Sequence, residues 1–189
     1  MTGAADKITI AGISCTRLGK RPDASVKQLV REAVDAALAD AGASVGDIDA
    51  AWFSNTRQPM LEGQNTIRGQ VALRPLGFES VPVVNIENAC ASGSSALIQA
   101  MAHLRAGMAD IALVVGAEKM VFPDRAEAMA AAFEGGTDIH DMEATKAFVR
   151  ALGGDADDEN AGKRSIFMDL YAAQARAHMD RFGTTQEDF

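Results

Sequence analysis

The sequence has too few cysteines to build a disulfide framework or a zinc centre. Its 189 residues include two, Cys15 and Cys90, which lie far apart and have no close histidine or cysteine at metal-ligand spacing. Aromatic residues are also scarce, at 5%, so alanine, valine and glycine must supply much of the packing. We therefore expect a globular chain without a metal site, in which each cysteine is a single thiol.

Basic charge is in deficit as well. The chain has 18 lysine and arginine residues against 26 aspartate and glutamate residues, for a net charge of -8, so it offers no basic field to a nucleic acid. No apolar run approaches the roughly 18 residues of a membrane span, and the polar start Met1–Asp6 is unlike a signal peptide. We expect no nucleic-acid partner, no membrane span and a cytoplasmic location.

Short apolar segments alternate with segments of helical periodicity along the first part of the chain. A nearly continuous apolar run such as Val81–Ile86 is typical of a parallel strand that is buried on both faces. The predicted strands are Lys7–Ile13, Ile48–Ser54, Val81–Ile86 and Asp110–Gly116, and the predicted helices are Ser25–Ala41, Gly63–Leu73 and Ala91–Ala106. This alternation predicts an α/β fold, an open βαβαβ sheet layered with helices on both faces.

The pattern changes after Lys119. Residues 120–189 contain short Ala- and Met-rich segments, no strand pattern and a final predicted helix, Ser165–Arg181. We therefore predict an α/β domain over 1–119 and a mostly helical region over 120–189. The last residues, Thr184–Asp188, are typical of a helix start, because a hydroxyl caps free N–H groups and carboxylates suit the helix dipole. This end predicts a truncated polypeptide or one half of something larger.

Cys90 lies where the predicted strand Val81–Ile86 turns into the predicted helix Ala91–Ala106. A thiol at a helix N-terminus faces free backbone N–H groups, which favour the reactive thiolate and can stabilise an oxyanion. Small neighbours, Gly93 among them, let substrate and backbone approach closely. From these residues alone, Cys90 is either a nucleophile or a small buried residue packed between strand and helix.

The segment around Cys90 resembles the nucleophile segment of thiolases, and further motifs agree at the spacing of that family. The matching residues are Glu62-Gly63-Gln64, Arg68-Gly69-Gln70, Leu76-Gly77, Val81-Pro82, Asn88-Ala89-Cys90-Ala91-Ser92-Gly93, Ala106-Gly107 and Gly116-Ala117-Glu118-Lys119-Met120. The resemblance covers essentially the whole chain. The Glu-Lys-Met motif is most similar to the sterol-carrier-associated branch, which handles bulky acyl chains.

The resemblance implies a thiolase half-fold whose loop region, 120–189, contacts coenzyme A. Cys90 would be the catalytic residue that forms an acyl-enzyme, with its own N–H in the oxyanion hole, and Asn88, Ser92 and Gly93 would shape the turn and the substrate-binding surface around it. Coenzyme A is then a substrate carrying the acyl group, and no cofactor is expected.

The resemblance also predicts what this chain must receive from elsewhere. Thiolases draw an activating histidine, a water-holding Asn-Glu segment and a second cysteine from their C-terminal half. A homodimer is expected, with Val83–Ile86 beside its own copy across a two-fold axis, or a hetero-oligomer with a chain that supplies that half. The three histidines, His103, His140 and His178, have no matching motif around them and are expected to be surface or loop residues.

Three functions remain open at this point. The first is acyl transfer through Cys90, in the direction of 3-ketoacyl-CoA thiolysis or of condensation. The second is a thiolase-like carbon–carbon lyase acting on a sterol-type side chain, whose members can dispense with the cysteine. The third is a non-catalytic subunit or fragment that assembles with a partner. For Cys15, which has no helix start or base nearby, we expect a structural role.

Overall fold

The computed structural model describes residues 7–156 and 165–189. They form two compact units, the first ending at Arg125 and the second running from Ala126 to Phe189. The sequence pattern places the change at Lys119, and the residues between belong to the first unit, where the Arg125 guanidinium donates a hydrogen bond to the Leu61 carbonyl oxygen. The polar start of the chain, residues 1–6, lies outside the described residues.

Three parallel strands form the sheet of the first unit. They are β1 (Ala50–Ser54), β2 (Val83–Ile86) and β3 (Ala112–Gly116), in the order β2-β1-β3. Trp52 of β1 lies in register with Val84 of β2 and Val114 of β3. Every residue of β1 is buried, because the strand is paired along both edges and covered on both faces.

Helices cover the two faces of the sheet. The helices of the first unit are α1 (Val26–Ala41), α2 (Gln58–Glu62), α3 (Arg68–Leu73) and α4 (Ser92–Arg105). Helices α1 and α3 pack on the face that carries Phe53, whereas Ala96 and Ala100 of α4 pack on the opposite face with Trp52. Neighbouring strand residues point to opposite faces of a sheet, so β1 contributes side chains to two hydrophobic cores, one on each face. The predicted α/β fold is confirmed.

Helix α1 forms where its sequence pattern places it. The Ser25 hydroxyl accepts the Gln28 N–H at 3.2 Å, and the Gln28 side-chain oxygen accepts the Ser25 N–H at 2.8 Å, a reciprocal capping box. The helix ends at Gly42, which has the left-handed φ of 64° that glycine tolerates. The residues it buries are four apart: Val26, Val30, Val34 and Leu38.

The prediction of a first strand over Lys7–Ile13 is wrong, because this segment pairs with none of the described strands. It runs beside α1 instead. The Ile13 N–H donates to the Asp40 carboxylate at 2.9 Å, and a Cβ on Gly12 would come within 2.4 Å of the Ala37 carbonyl oxygen. A β-branched run becomes a strand only where a neighbour takes up its hydrogen bonds.

The predicted helix Gly63–Leu73 is correct only in its second half. Helix α2 ends at Glu62, and Gly63 has a φ of 76°, which terminates it. Helix α3 begins at Arg68, after a residue in the left-handed region, Ile67. The prediction wrongly included Gly63, which terminates α2, in the helix that follows.

The second unit consists of helices and connecting segments in its described residues. Its helices are α5 (Ala126–Glu134), α6 (Met142–Ala151) and α7 (Ile166–Phe182). Ser165 caps α7 by accepting the Phe167 N–H, and Gly183 ends it. A 3-10 turn over Gln186–Asp188 follows, where the sequence pattern predicts a helix start. Within the described ranges, no helix is both long and apolar enough to cross a membrane.

Candidate active site

Cys90 lies on an exposed turn that joins β2 to α4. Strand β2 ends at Ile86, a 3-10 turn covers Ala89–Ala91, and α4 begins at Ser92. The Cys90 side chain is exposed. Within the first unit it therefore does not act as the buried packing residue that was the alternative interpretation of the sequence.

The residue before Cys90 has an unusual backbone conformation. Ala89 has a φ of 44°, in the left-handed region that glycine favours. A non-glycine residue held there costs on the order of 1–3 kcal/mol and persists only where its surroundings fix it. The contacts of the turn must therefore supply that constraint.

Ser92 supplies much of this constraint on the Ala89 backbone from inside the turn. Its hydroxyl accepts the Asn88 N–H at 2.8 Å and donates to the Ala89 carbonyl oxygen at 2.7 Å. The Asn88 side-chain amide donates to the Ser95 hydroxyl at 2.9 Å, and the Glu87 carboxylate accepts the Ala89 N–H at 2.7 Å. Ser92 is buried, so its hydroxyl serves the turn, and direct contact with a substrate stays a prediction.

Polar side chains that follow β1 and β3 meet beside this turn, which itself follows β2. Asn55 and Thr56 follow β1, and Glu118 follows β3. The Glu118 carboxylate accepts the N–H groups of Thr56 at 2.8 Å and Arg57 at 2.9 Å, and the Asn55 amide at 3.1 Å. The carboxyl ends of parallel strands lie at the same sheet edge, where open α/β folds place their sites.

Asn55 is the buried centre of this cluster, with 2% of its surface exposed. Its amide nitrogen also donates to the Ala117 carbonyl oxygen at 2.6 Å, and its oxygen accepts the Gln58 N–H and the Arg68 guanidinium, each at 3.3 Å. A buried amide with all these partners joins the ends of β1 and β3 to α3. The sequence analysis missed Asn55 and Thr56, although polar residues directly after a buried strand are a usable signal.

Glu118 and its neighbour Lys119 have different partners. Glu118 accepts backbone N–H groups, whereas the Lys119 ammonium donates to the Pro22 carbonyl oxygen at 2.7 Å and lies 4.7 Å from the centroid of the Phe122 ring. Gly93, in the first turn of α4, has no atom within 4 Å of an added Cβ. The surface next to the turn is therefore open at Gly93.

The other thiol and the histidines lie outside this cluster. Cys15 is exposed, and its sulfur lies 3.4 Å from the Thr16 carbonyl oxygen on the segment beside α1. His103 packs edge-on against Trp52, with ring centroids 5.1 Å apart, and His140 and His178 belong to the second unit. Among the described residues, no three acidic, histidine or cysteine side chains are grouped as metal ligands.

The second unit has an open apolar cavity of about 390 Å³. It is lined by Gly136, Thr137, Ala144, Thr145, Phe148, Ile166, Phe167 and Leu170. None of these side chains is an acid or a base, and their polar groups are the hydroxyls of Thr137 and Thr145. The cavity offers room for an apolar group but no chemistry of its own.

The site is thus an exposed thiol on the turn between a parallel strand and a helix of an α/β fold. The sequence profile described as "Thiolase, N-terminal domain" matches residues 8–180. The chain therefore belongs to the thiolase family and corresponds to its N-terminal domain. The family predicted from the motifs is confirmed.

Curated relatives agree with this assignment. The chain is 31% identical over 181 residues to an acetyl-CoA acetyltransferase of Methanothermobacter thermautotrophicus and 32% identical over 182 residues to that of Methanocaldococcus jannaschii, covering 95% and 96% of this chain. The chain is 26% identical to sterol carrier protein 2 of Gallus gallus, and this match covers 97% of the present chain. The chain spans 41% of each acetyltransferase and 31% of the sterol carrier protein.

One solved structure has a partial likeness to the chain. It is 3-oxoacyl-[acyl-carrier-protein] synthase III from Aquifex aeolicus VF5, with a TM-score of 0.48 and 22% identity, over 53% of this chain and 32% of that one. This likeness is too limited to bear on function.

Proposed function

We propose that this chain carries the nucleophile of a thiolase-type acyltransferase, in which Cys90 takes an acyl group from an acyl-CoA. The observation that carries the proposal is the position of Cys90, exposed on the turn between a buried parallel strand and α4. Membership of the thiolase family and the relatives named acetyl-CoA acetyltransferase support it.

In the proposed first step, the Cys90 thiolate attacks the carbonyl carbon of the thioester. A bond forms between that carbon and the Cys90 sulfur, and the carbonyl electrons move onto oxygen. When the oxyanion collapses, the bond from carbon to the coenzyme A sulfur breaks, and coenzyme A leaves as a thiolate that takes up a proton. The acyl group then passes to an acceptor, by thiolysis or by condensation.

The backbone of the turn supports an oxyanion contact from the Cys90 N–H. The Ala89 carbonyl oxygen accepts hydrogen bonds from the Ser92 hydroxyl and the Ser92 N–H. In a planar trans peptide the N–H points away from the carbonyl oxygen, so the Cys90 N–H is directed away from these donors. Among the described residues it has no hydrogen-bond acceptor, and it is thus free for a substrate oxygen.

The proton of the Cys90 thiol needs a base from elsewhere in the enzyme. His103 is in the same unit, but 13 residues of mostly helical chain at 1.5 Å each put it about 20 Å from Cys90. We propose that a polypeptide carrying the C-terminal half of the fold supplies the base, and that the second unit of this chain contacts coenzyme A. Asn88, Ser92 and Gly93 remain the proposed substrate-binding surface.

Two further properties belong to the same proposal. The relative named sterol carrier protein 2 favours a lipid-derived acyl group. Self-association would use β2, since it lies at one edge of the described sheet and Val84 is 38% exposed. Val84→Lys should shift a dimer toward monomer in analytical ultracentrifugation. Wild-type chain that stays monomeric at high concentration would contradict this dimer.

Substrate protection of the thiol tests the acyl-CoA proposal. Alkylation of Cys90 by iodoacetamide is followed by peptide mass spectrometry, with Cys15 in the same molecule as the internal control. We expect Cys90 to react faster than Cys15, and an acyl-CoA to slow Cys90 alone. Cys90 reacting no faster than Cys15, both alone and with the C-terminal half of a relative added, would refute the nucleophile assignment.

A further inference from the structure

Thr56 lies between the strand ends and the nucleophile turn. It follows β1 by two residues and is half-buried. Its hydroxyl is 3.3 Å from the Ala89 carbonyl oxygen, to which it donates, and 3.2 Å from the Ser92 hydroxyl. Thr56, in the segment after β1, thus contacts the peptide that joins Ala89 to Cys90 in the turn after β2.

That peptide needs to be held, because Ala89 has a left-handed φ of 44°. The Ser92 hydroxyl is shared, since it also accepts the Asn88 N–H. Ser92 belongs to α4, so its contacts hold the carbonyl only relative to that helix. The Thr56 contact ties the same carbonyl oxygen to the sheet, and both anchors together set the direction of the Cys90 N–H.

Thr56 is itself fixed by the cluster at the strand ends. The Glu118 carboxylate, which follows β3, accepts the Thr56 N–H at 2.8 Å and the neighbouring Arg57 N–H at 2.9 Å. Asn55 ties the same carboxylate to β1. A hydrogen bond between a charged carboxylate and a backbone N–H is stronger than a neutral one. The backbone of Thr56 is therefore hydrogen-bonded to the segment that follows β3.

We propose that Thr56 is a positioning residue for the Cys90 nucleophile. By holding the Ala89 carbonyl oxygen, it keeps the Cys90 N–H and thiol at the orientation in which they meet a thioester carbonyl. Thr56 acts through the turn and does not touch the reacting atoms. The inference rests on the proposed function of Cys90, and it adds a residue from the segment after β1, outside the nucleophile segment itself.

Three variants of the full chain test this role. Thr56→Val keeps the shape and removes the hydroxyl, Thr56→Ser keeps the hydroxyl, and Thr66→Val is the control at an exposed threonine of the same unit. The first measurement is the rate of Cys90 alkylation relative to Cys15. We expect Thr56→Val to lower this ratio about three- to tenfold, the range of one lost neutral hydrogen bond, and Thr56→Ser and Thr66→Val to leave it near the wild-type value.

The second measurement is the amide chemical shift of Cys90 by NMR, which reports the peptide whether or not the thiol is reactive. We expect it to move in Thr56→Val and to stay in Thr56→Ser. If wild-type Cys90 reacts faster than Cys15 and Thr56→Val changes neither the ratio nor the shift, the inference is overturned and the proposed function stands. If wild-type Cys90 is no faster than Cys15, both alone and with the C-terminal half of a relative added, the proposed function fails instead. An unmoved shift in Thr56→Val then rejects the Thr56 contact separately.

Discussion

Replacing Gly69 by alanine should destabilise the first unit, although alanine is the better helix former. Gly69 is the second residue of α3 and lies against the sheet. A Cβ there would be 2.6 Å from the Phe53 Cβ and 2.8 Å from a Val83 methyl carbon. Carbon atoms make their best contacts at about 3.5–4.0 Å, so α3 must move outward by about 1 Å.

The movement has a second consequence. The Gly69 N–H donates to the Asn85 side-chain oxygen at 2.6 Å, and a displacement of about 1 Å would lengthen this hydrogen bond beyond its useful range. Overpacking costs about 1–3 kcal/mol and the lost hydrogen bond about 1 kcal/mol, whereas alanine in a helix returns up to about 1 kcal/mol. The expected net loss in the free energy of unfolding is about 1–4 kcal/mol.

Urea unfolding followed by the fluorescence of Trp52 measures this loss, because Trp52 is the one tryptophan and lies in β1. Gly93→Ala is the matched control: Gly93 is the second residue of α4, and open space surrounds its added Cβ. We expect Gly93→Ala to be neutral or to stabilise the chain by up to about 1 kcal/mol. If Gly69→Ala were as stable as Gly93→Ala, the close packing of α3 on the sheet would be refuted.

Two further predictions concern other parts of the first unit. The N–H groups of Ile111 and Asp110 donate to the Asp49 carboxylate and hold its pKa below the usual 3.8. The ionised carboxylate therefore stabilises the fold above pH 3.8, and this stabilisation is lost as the pH falls through the lowered pKa. The difference in free energy of unfolding between wild type and Asp49→Asn, measured by urea titration, should therefore shrink below pH 3.8. A difference that does not change with pH would contradict the lowered pKa of Asp49. Leu73→Ala should cost about 2–5 kcal/mol, because Leu73 is fully buried. Leu97→Ala, at a side chain 44% exposed, should cost much less, and equal losses would contradict the described core.

The sequence was sufficient for the elements whose signals are local. Helix α1 carries its own cap, four-residue periodicity and stop at Gly42, and β2 and β3 lie in short apolar runs that contain the valines typical of strands. These features depend on residues close together in the chain, and they led to the correct fold class and to Cys90 at the strand-to-helix turn.

The wrong strand over Lys7–Ile13 and the missed cluster at the strand ends have a shared physical cause, since both concern partners that are distant in sequence. The error over Gly63–Leu73 was local, because the terminating Gly63 was included in the helix. Lys7–Ile13 has the composition of a strand, but pairing depends on a neighbour that the segment itself does not encode. The cluster of Asn55, Thr56 and Glu118 forms because β1 and β3 lie side by side. The sequence contains each residue, but only the order of the strands brings them to the Cys90 turn.

The most direct test of the central claim is whether Cys90 becomes acylated. The chain is incubated with acetyl-CoA, alone and with the C-terminal half of a related acetyltransferase, and its peptides are analysed by mass spectrometry. The account predicts a hydroxylamine-labile acetyl group on Cys90, still present in Cys15→Ala and absent in Cys90→Ala. An acetyl group that persists in Cys90→Ala, or none on Cys90 under either condition, would contradict it.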